Sequence, residues 1–357
     1  MKKKLLIICI SVFLLFLAGG ITFIKVGTSP VNKKNKDLVV FEFKQGTSRK
    51  EIIDKLYKKG LIKNKLAGYI YININRGKNL QANKYALNKS MSLKQILNKF
   101  DKGEIYDDRK TVTLKFVPGK RLTDYAGTIA DFMNEYQDPA NKVTKEDVLS
   151  VINDKAYINE LINKYSFLTN EVLDDEIYYA LEGYLTPDTY EFYTSASIKD
   201  IIGRMLDATD KKLKNLEQDI KNSGFTTHEI LSMAAIIEKE ANSDDDRAKV
   251  SQVIHKRLEL KMNLGMDVTA YYAAKADLTE PYYKSWSSLP SKYNTRNANN
   301  IGLPIGPICN PSISSIKAAL NPSKTSYVYF YADMQTGKVY FAEDYAGFMD
   351  IQKKLGV

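Results

Sequence analysis

The chain has 357 residues, 44% hydrophobic and 26% charged, with a net charge of +10. That length allows two or three domains, and that composition lets most of the chain bury a core, which excludes a wholly disordered protein. The basic balance suits an anionic partner surface (nucleic acid, lipid headgroups or an acidic polymer) without choosing among them, and a chain can also be basic with no such partner.

The N-terminus narrows that choice. In MKKKLLIICISVFLLFLAGGITFIK, three lysines precede an uncharged run, Leu5 to Ile24, of about twenty residues, enough to cross a hydrocarbon core. The lysines predict a cytoplasmic N-terminus, with the rest of the chain outside the cell. A cleaved signal peptide is the alternative, although the apolar run is longer than a usual signal core. Export leaves the outer membrane surface or the cell wall as partner and argues against nucleic acid.

Side-chain inventory limits the chemistry. Cys9 lies inside the apolar run, far from Cys309, so no disulfide framework is expected. His228 and His255 are the only histidines, and no CxxC or HExxH spacing occurs. No metal, no cofactor and no phosphate-cradling glycine loop is expected, which leaves carboxylates to do the chemistry.

Taken in order, 1–24 reads as an anchor and 25–37, polar with Gly, Pro and Lys, as a linker. Residues 38–105 read as a compact β-α-α-β-α unit. LVVFEFKQG alternates like a strand, and a capping signal at Thr47 or Ser48 with Glu51 opens a helix stopped by Gly60. A second helix is predicted over Leu66–Ile74, then a short strand and a third helix ending near Gly103. A larger unit, 106–357, repeats the strand–turn–helix pattern from about Arg109. A helical pattern runs from Glu146 to Ile177, with Val151 to Leu173 ambiguous, and one long helix is predicted from Ser197 to Asn222. A glycine- and proline-rich loop, YNTRNANNIGLPIGPICNPS, leads to a short helix over Ile313–Leu320 and an aromatic hairpin turned at Thr336-Gly337. Most of the 24 tyrosines read as half-buried packing residues, and some suit stacking on sugar faces.

TTHEILSMAAIIEKEAN reads as a helix capped by Thr226 with Glu229 as its reciprocal partner. At about 100° per residue, Ile230, Met233, Ala234, Ile237 and Ala241 share one stripe, with Glu238 and Glu240 about 80° to either side of it. The two acids therefore cannot face each other as a pair. Glu240 also lies near the helix C-terminus, where the dipole disfavours negative charge. A desolvated carboxyl there would have the raised pKa a general acid needs. Geometry alone equally allows two solvated edge residues, one paired with a lysine.

Several separated motifs then occur together. EGYLTPDTYEF, LSMAAIIEKEA, VIHKRLELKM, MDVTAYY, YNTRNANNIGLPIGPICNPSISSIKAALNP and YVYFYAD resemble, in order, the MltG (YceG-like) family of endolytic murein transglycosylases. The resemblance spans nearly the whole chain and implies an α+β fold. It comprises an N-terminal transmembrane helix, a small LysM-like module and a larger mixed α+β catalytic domain. It further implies cleavage of MurNAc–GlcNAc bonds inside glycan strands by one glutamate, with attack by the muramyl C6 hydroxyl to leave 1,6-anhydro ends. In the family's E-K-E motif the second glutamate is catalytic, and Glu240 matches it.

The same resemblance implies substrate-binding positions at Asp267, Thr269, Tyr293, Asn294, Thr295, Gly302, Pro304, Gly306 and Asn310, with Glu238 beside them. It implies peptidoglycan strands as substrate and penicillin-binding proteins or other cell-wall synthases as partners. The chain departs from the family pattern at several places. Ala241 replaces a hydroxyl residue, and Gly265, Met266 and Val268 replace Gln, Ser or Thr, and Pro. Arg296 replaces an aromatic, and Ile305 a proline. These departures leave a catalytically weakened wall-binding or synthase-scaffold protein as the alternative reading.

Overall fold

The computed structural model describes residues 2–75, 79–107, 110–136, 142–333 and 336–356, with the side chains of 2–9 and of residue 13 left aside. The chain divides into two compact units, Met1–Arg109 and Lys110–Val357. The strand start expected near Arg109 adjoins residues 108–109, which lie outside the described set.

In the first unit, α1 (Lys2–Gly27) is followed by β1 (Val39–Phe43), α2 (Arg49–Lys58), α3 (Lys65–Ile74), β2 (Asn83–Leu87) and α4 (Leu93–Lys102). This is the expected β-α-α-β-α order. Ser48 is the cap of α2, in a reciprocal box with Glu51, and Ser92 and Gln95 do the same for α4. The strands pair antiparallel with Phe41 opposite Tyr85. Their inner faces join Ile53, Leu56, Leu97 and Phe100 in one core.

The apolar helix α1 runs three residues beyond the expected anchor. The expected linker also starts bonded rather than free. Gly27 O accepts from Asn64 N–H (3.3 Å), Thr28 O from Leu93 N–H (3.0 Å), and Asn32 N–H donates to Lys89 O (2.9 Å). Polar composition marks chain that need not be buried, but it does not stop backbone groups from pairing with a neighbouring surface.

The second unit opens with β3 (Thr111–Lys115), α5 (Leu122–Tyr136), α6 (Lys145–Ile152), α7 (Lys155–Lys164) and a 3-10 turn at Asn170–Leu173. It continues through β4 (Thr189–Tyr193), α8 (Ile198–Lys214), α9 (Glu217–Ser223), α10 (Thr227–Glu240), α11 (Asp244–Glu259) and α12 (Asp267–Ala273). A second 3-10 turn at Lys284–Ser288 precedes α13 (Ile313–Leu320), β5 (Tyr329–Ala332), β6 (Val339–Ala342) and α14 (Tyr345–Leu355). β3 pairs antiparallel with the distant β4, Leu114 opposite Tyr190, and β5 with β6, Phe330 opposite Phe341. The fold is mixed α+β, as expected. Of the hairpin, residues 334 and 335 lie outside the described set, and α14 is an element the sequence did not announce.

Three expectations change. The helical pattern from Glu146 to Ile177 separates into α6, α7 and the 3-10 turn at Asn170–Leu173, with the chain irregular between and after them. The single long helix from Ser197 breaks into α8 and α9 at Leu216, whose backbone leaves the helix (φ −114°, ψ 4°) while its side chain turns into the core. Helix α10 is more deeply buried than its stripe implied. His228 and every residue from Ile230 to Ile237 are buried, because α11, α12 and α13 all pack on it. Its two buried polar residues are satisfied by distant or local partners. His228 Nε2 faces the Ile305 carbonyl (2.7 Å) and so donates, which leaves Nδ1 to accept the Tyr184 hydroxyl (2.7 Å). Ser232 Oγ donates back to His228 O (2.7 Å). Both His228 nitrogens are used inside the fold, so it is not available as a metal ligand.

Candidate functional site

Glu238 and Glu240 meet different surroundings at the C-terminal end of α10. Glu238 Oε2 accepts from Ser312 N–H (3.0 Å), from the Ser312 hydroxyl and from Ser315 Oγ (2.6 Å). Ser312 caps α13, so this carboxylate sits where the positive end of that helix welcomes it. Glu238 is thereby committed to holding α13 on α10. All three bonds use Oε2 of a side chain that is only half-buried.

Glu240 is the last residue of α10; the chain turns extended at Ala241 (φ −140°, ψ 138°), whose side chain is buried. The Glu240 side chain is half-buried, and no protein donor among the described residues binds its carboxyl. Burial first, then the negative charge of Asp267, pushes its pKa up to about 8. The cations Arg296, Arg257 and Lys239 pull the other way. Without hydrogen bonds to favour the anion, desolvation decides, and the carboxyl keeps its proton at neutral pH. This is the protonation state of a general acid.

Three segments bring these charges together. Asp267 opens α12, exposed, and Arg296 Nε pairs with its Oδ1 at 3.2 Å. Arg296 also donates to Gly265 O (3.1 Å). An aromatic residue at 296 could not make this pair, so that departure from the motif ties two walls of the site together. Arg257, from α11, donates its Nε to Val328 O (2.8 Å) and lies over the Tyr329 ring at 5.2 Å. Met266 and Val268, the other substituted positions around Asp267, point into the core. Met266 therefore alters packing behind the site, Val268 also lines the cavity beside the α10 terminus, and Asp267 remains on the surface. Gly265 holds a left-handed conformation (φ +61°) that carries the chain into α12.

Most of the expected sugar contacts turn out to be buried. Thr269 and Thr295 form a closed knot. Thr269 Oγ1 donates to Met266 O (2.7 Å) and accepts from Thr295 N–H (3.0 Å) and, at 2.8 Å, from the Thr295 hydroxyl. Thr295 Oγ1 in turn accepts from Met266 N–H (3.1 Å). Tyr293 is enclosed against Tyr178 and Tyr272 (4.7 and 4.8 Å between ring centroids). Asn294 is fully enclosed and donates to carbonyls of the Lys284–Ser288 turn region.

Asn310 accepts from Gly183 and Leu185 N–H groups (3.1 and 3.2 Å) and points its amide towards Lys120 O. Pro304 and Gly306 are likewise buried, Gly306 close against His228. Gly302, partly exposed at φ +107°, turns the loop. These buried side chains have no surface to offer a glycan. They fix the walls that present Asp267, Arg296 and Glu240. Beside the α10 terminus a cavity of about 230 Å³ is lined by Gly119, Lys120, Arg121, Lys239, Val268 and Ile308 among others.

The family model of the YceG-like family matches residues 41–354. The chain belongs to the YceG-like family. It is 35% identical over 332 residues to the endolytic murein transglycosylase of Bacillus subtilis (strain 168), covering 92% of this chain and 88% of that one. It is 30% identical over 354 residues to the protein of that name from Streptococcus pneumoniae serotype 2 (strain D39), covering 96% of this chain but 63% of the longer relative. A crystal structure of a YceG-like protein from Listeria monocytogenes superposes with a TM-score of 0.62 at 33% identity, covering 88% of this chain and 99% of that one.

For this YceG-like chain, two ionisable residues at or behind the site were not read from the sequence. Arg257 lies in a stretch recognised only as a following helix, and its tie to Glu240 depends on the α10–α11 packing. Glu182 is 1% exposed; burial pushes its pKa up to about 8, against hydrogen bonds from Leu122 N–H (2.8 Å) and the Tyr272 hydroxyl (3.0 Å). It braces α12 from behind. Its position within the recognised EGYLTPDTYEF motif was the one available signal. Among the described residues no cluster of three or more metal-ligating side chains occurs.

Proposed function

We propose that this chain is a membrane-anchored endolytic lytic transglycosylase that cuts MurNAc–GlcNAc bonds within peptidoglycan strands and leaves 1,6-anhydroMurNAc ends. One observation carries the reading: Glu240, in the position of the family's second motif glutamate, is a desolvated carboxyl with its pKa at about 8 beside the charge of Asp267. In the first step Glu240 gives its proton to the glycosidic oxygen as the bond to the muramyl C1 breaks. The resulting carboxylate, met by Arg296 and Arg257, takes the proton of the muramyl C6 hydroxyl as that oxygen closes on C1. One carboxyl thus serves as acid and then base, and the two-carboxylate arrangement of most glycosidases is not needed. The activity shared by the curated relatives supports this reading.

Membrane anchoring is supported by α1. Its window Ile10–Gly27 has a mean hydropathy of 2.0, and Leu15 and Phe16 expose most of their surface, which suits lipid rather than water. The preceding lysines favour a cytoplasmic N-terminus and an extracellular remainder. Residues 38–105 then serve as a LysM-like module that holds glycan or spaces the catalytic domain, 106–357, from the membrane. Penicillin-binding proteins or other synthases making the strand are the natural partners. The test is a digest of purified peptidoglycan by the full-length protein in detergent, with products read by mass spectrometry. Anhydromuramyl ends are expected. Reducing ends would make the chain a hydrolase, and no products at all would leave a binding scaffold.

A further inference from the structure

The chain has one tryptophan, Trp286, in the 3-10 turn Lys284–Ser288. Tyr271, Tyr282 and Tyr283 meet it edge-on, their centroids 5.2, 5.8 and 5.0 Å away. None of these four rings belongs to the hydrophobic core of its unit. Tyr283 is 54% exposed and the other three are half-buried. Rings gathered outside the core, one of them mostly exposed, offer an apolar contact surface.

Its backbone is nevertheless fixed from below. The enclosed Asn294 amide donates to Trp286 O (2.9 Å) and Leu289 O (3.0 Å), and Asn297 donates to Leu289 O (3.0 Å). Two rings are pinned by their tips, Tyr271 to Glu280 O (2.9 Å) and Tyr282 to Ser287 Oγ (2.7 Å). The Tyr283 hydroxyl has no hydrogen-bond partner among the described residues. Thus a motif residue too buried to touch a ligand presents rings that can.

What would bind is indicated by the rings' neighbour. Tyr271 follows Asp267 by one turn of α12, and the Asp267 charge reaches both the Tyr271 hydroxyl and Glu240. The aromatic surface therefore continues the Glu240 site. A pyranose has an apolar face of axial C–H bonds and a polar rim of hydroxyls. This matches rings with apolar faces and polar tips. We propose that Tyr283 and Trp286, backed by Tyr271 and Tyr282, form a sugar-stacking subsite that holds a pyranose of the glycan strand away from the bond being cut. This rests on the reading of peptidoglycan strands as substrate.

The experiment uses the full-length protein in detergent, carrying Glu240→Gln so that strands are not consumed. Peptide-free glycan strands with a fluorescent end label are the probe. Label anisotropy reports binding, and all indole emission reports Trp286. The expected result is a saturable change in Trp286 emission that tracks the anisotropy. Tyr283→Ala, at an exposed position, should bind about fivefold more weakly with an unchanged melting temperature, and Trp286→Phe should retain most of the affinity. Binding without any change in Trp286 emission, binding by Tyr283→Ala equal to its parent, or no binding at all overturns the subsite. Failure of the enzymatic reading shows separately: a wild-type digest without anhydro ends, alongside an intact emission change, removes the reaction and leaves the glycan subsite.

Discussion

Replacing Glu240 by glutamine should make the protein more stable and inactive at once. An ordinary glutamate ionises at 4.5, whereas Glu240 holds its proton to about 8. At neutral pH the unfolded chain releases this proton and the folded chain does not. The stability associated with the protonated carboxyl is complete below 4.5 and is lost as pH rises through about 8. At pH 7 the full cost to the fold is about 3 kcal/mol. The side chain is half-buried, so solvent screening reduces this to about 2 kcal/mol. Glutamine has nearly the same shape and no proton to hold, so Glu240→Gln should melt about 4–8 °C higher than the wild type at pH 7. Near pH 4 the two should coincide. Calorimetry of the full-length protein at both pH values provides the comparison. An equal difference at pH 4 and pH 7 would refute the reasoning, because packing alone does not titrate.

The same charges set the pH dependence of the reaction. Activity should fall as pH rises through about 8, where Glu240 loses its proton. Asp267→Asn removes a charge that raises the Glu240 value and should move this alkaline limb to lower pH. Arg296→Gln removes an opposing cation and should move it to higher pH; pH–rate profiles of the two variants shifting in the same direction would contradict the electrostatic account. Thr269→Val strands the Thr295 N–H and hydroxyl, and should cost about 2–3 kcal/mol in denaturant unfolding. A neutral Thr269→Val would mean the knot does not brace the Asp267 segment.

The features legible in the sequence were mostly local. The Thr226–Glu229 box that starts α10 and the bounds of α13 follow from near-neighbour hydrogen bonding and apolar spacing, which the chain carries in order. The break between α8 and α9 depends on Leu216 turning into a core formed by other segments, and no periodicity announces it. The same holds for α10. Its apolar stripe was visible, but burial on all sides required His228 to find Tyr184 and the Ile305 carbonyl.

At the site, wheel geometry put Glu238 and Glu240 on opposite sides and could not rank them. The motif singled out Glu240, and the surroundings differ in kind: Glu238 is bonded to Ser312 and Ser315, while Glu240 has no protein donor among the described residues. Motif matching also placed Thr269, Tyr293, Asn294 and Asn310 among substrate contacts. Matching carries no information on depth, and these side chains are buried in the walls around Asp267.

The central claim, that Glu240 rather than Glu238 is the acid and base of the reaction, is tested most directly by one paired digest. Full-length Glu240→Gln and Glu238→Gln proteins are incubated with the same purified peptidoglycan, and anhydromuramyl ends are counted by mass spectrometry against wild type. The account predicts no ends above background with Glu240→Gln, and ends still formed, in reduced yield, with Glu238→Gln. Ends from Glu240→Gln at a rate near wild type would contradict it.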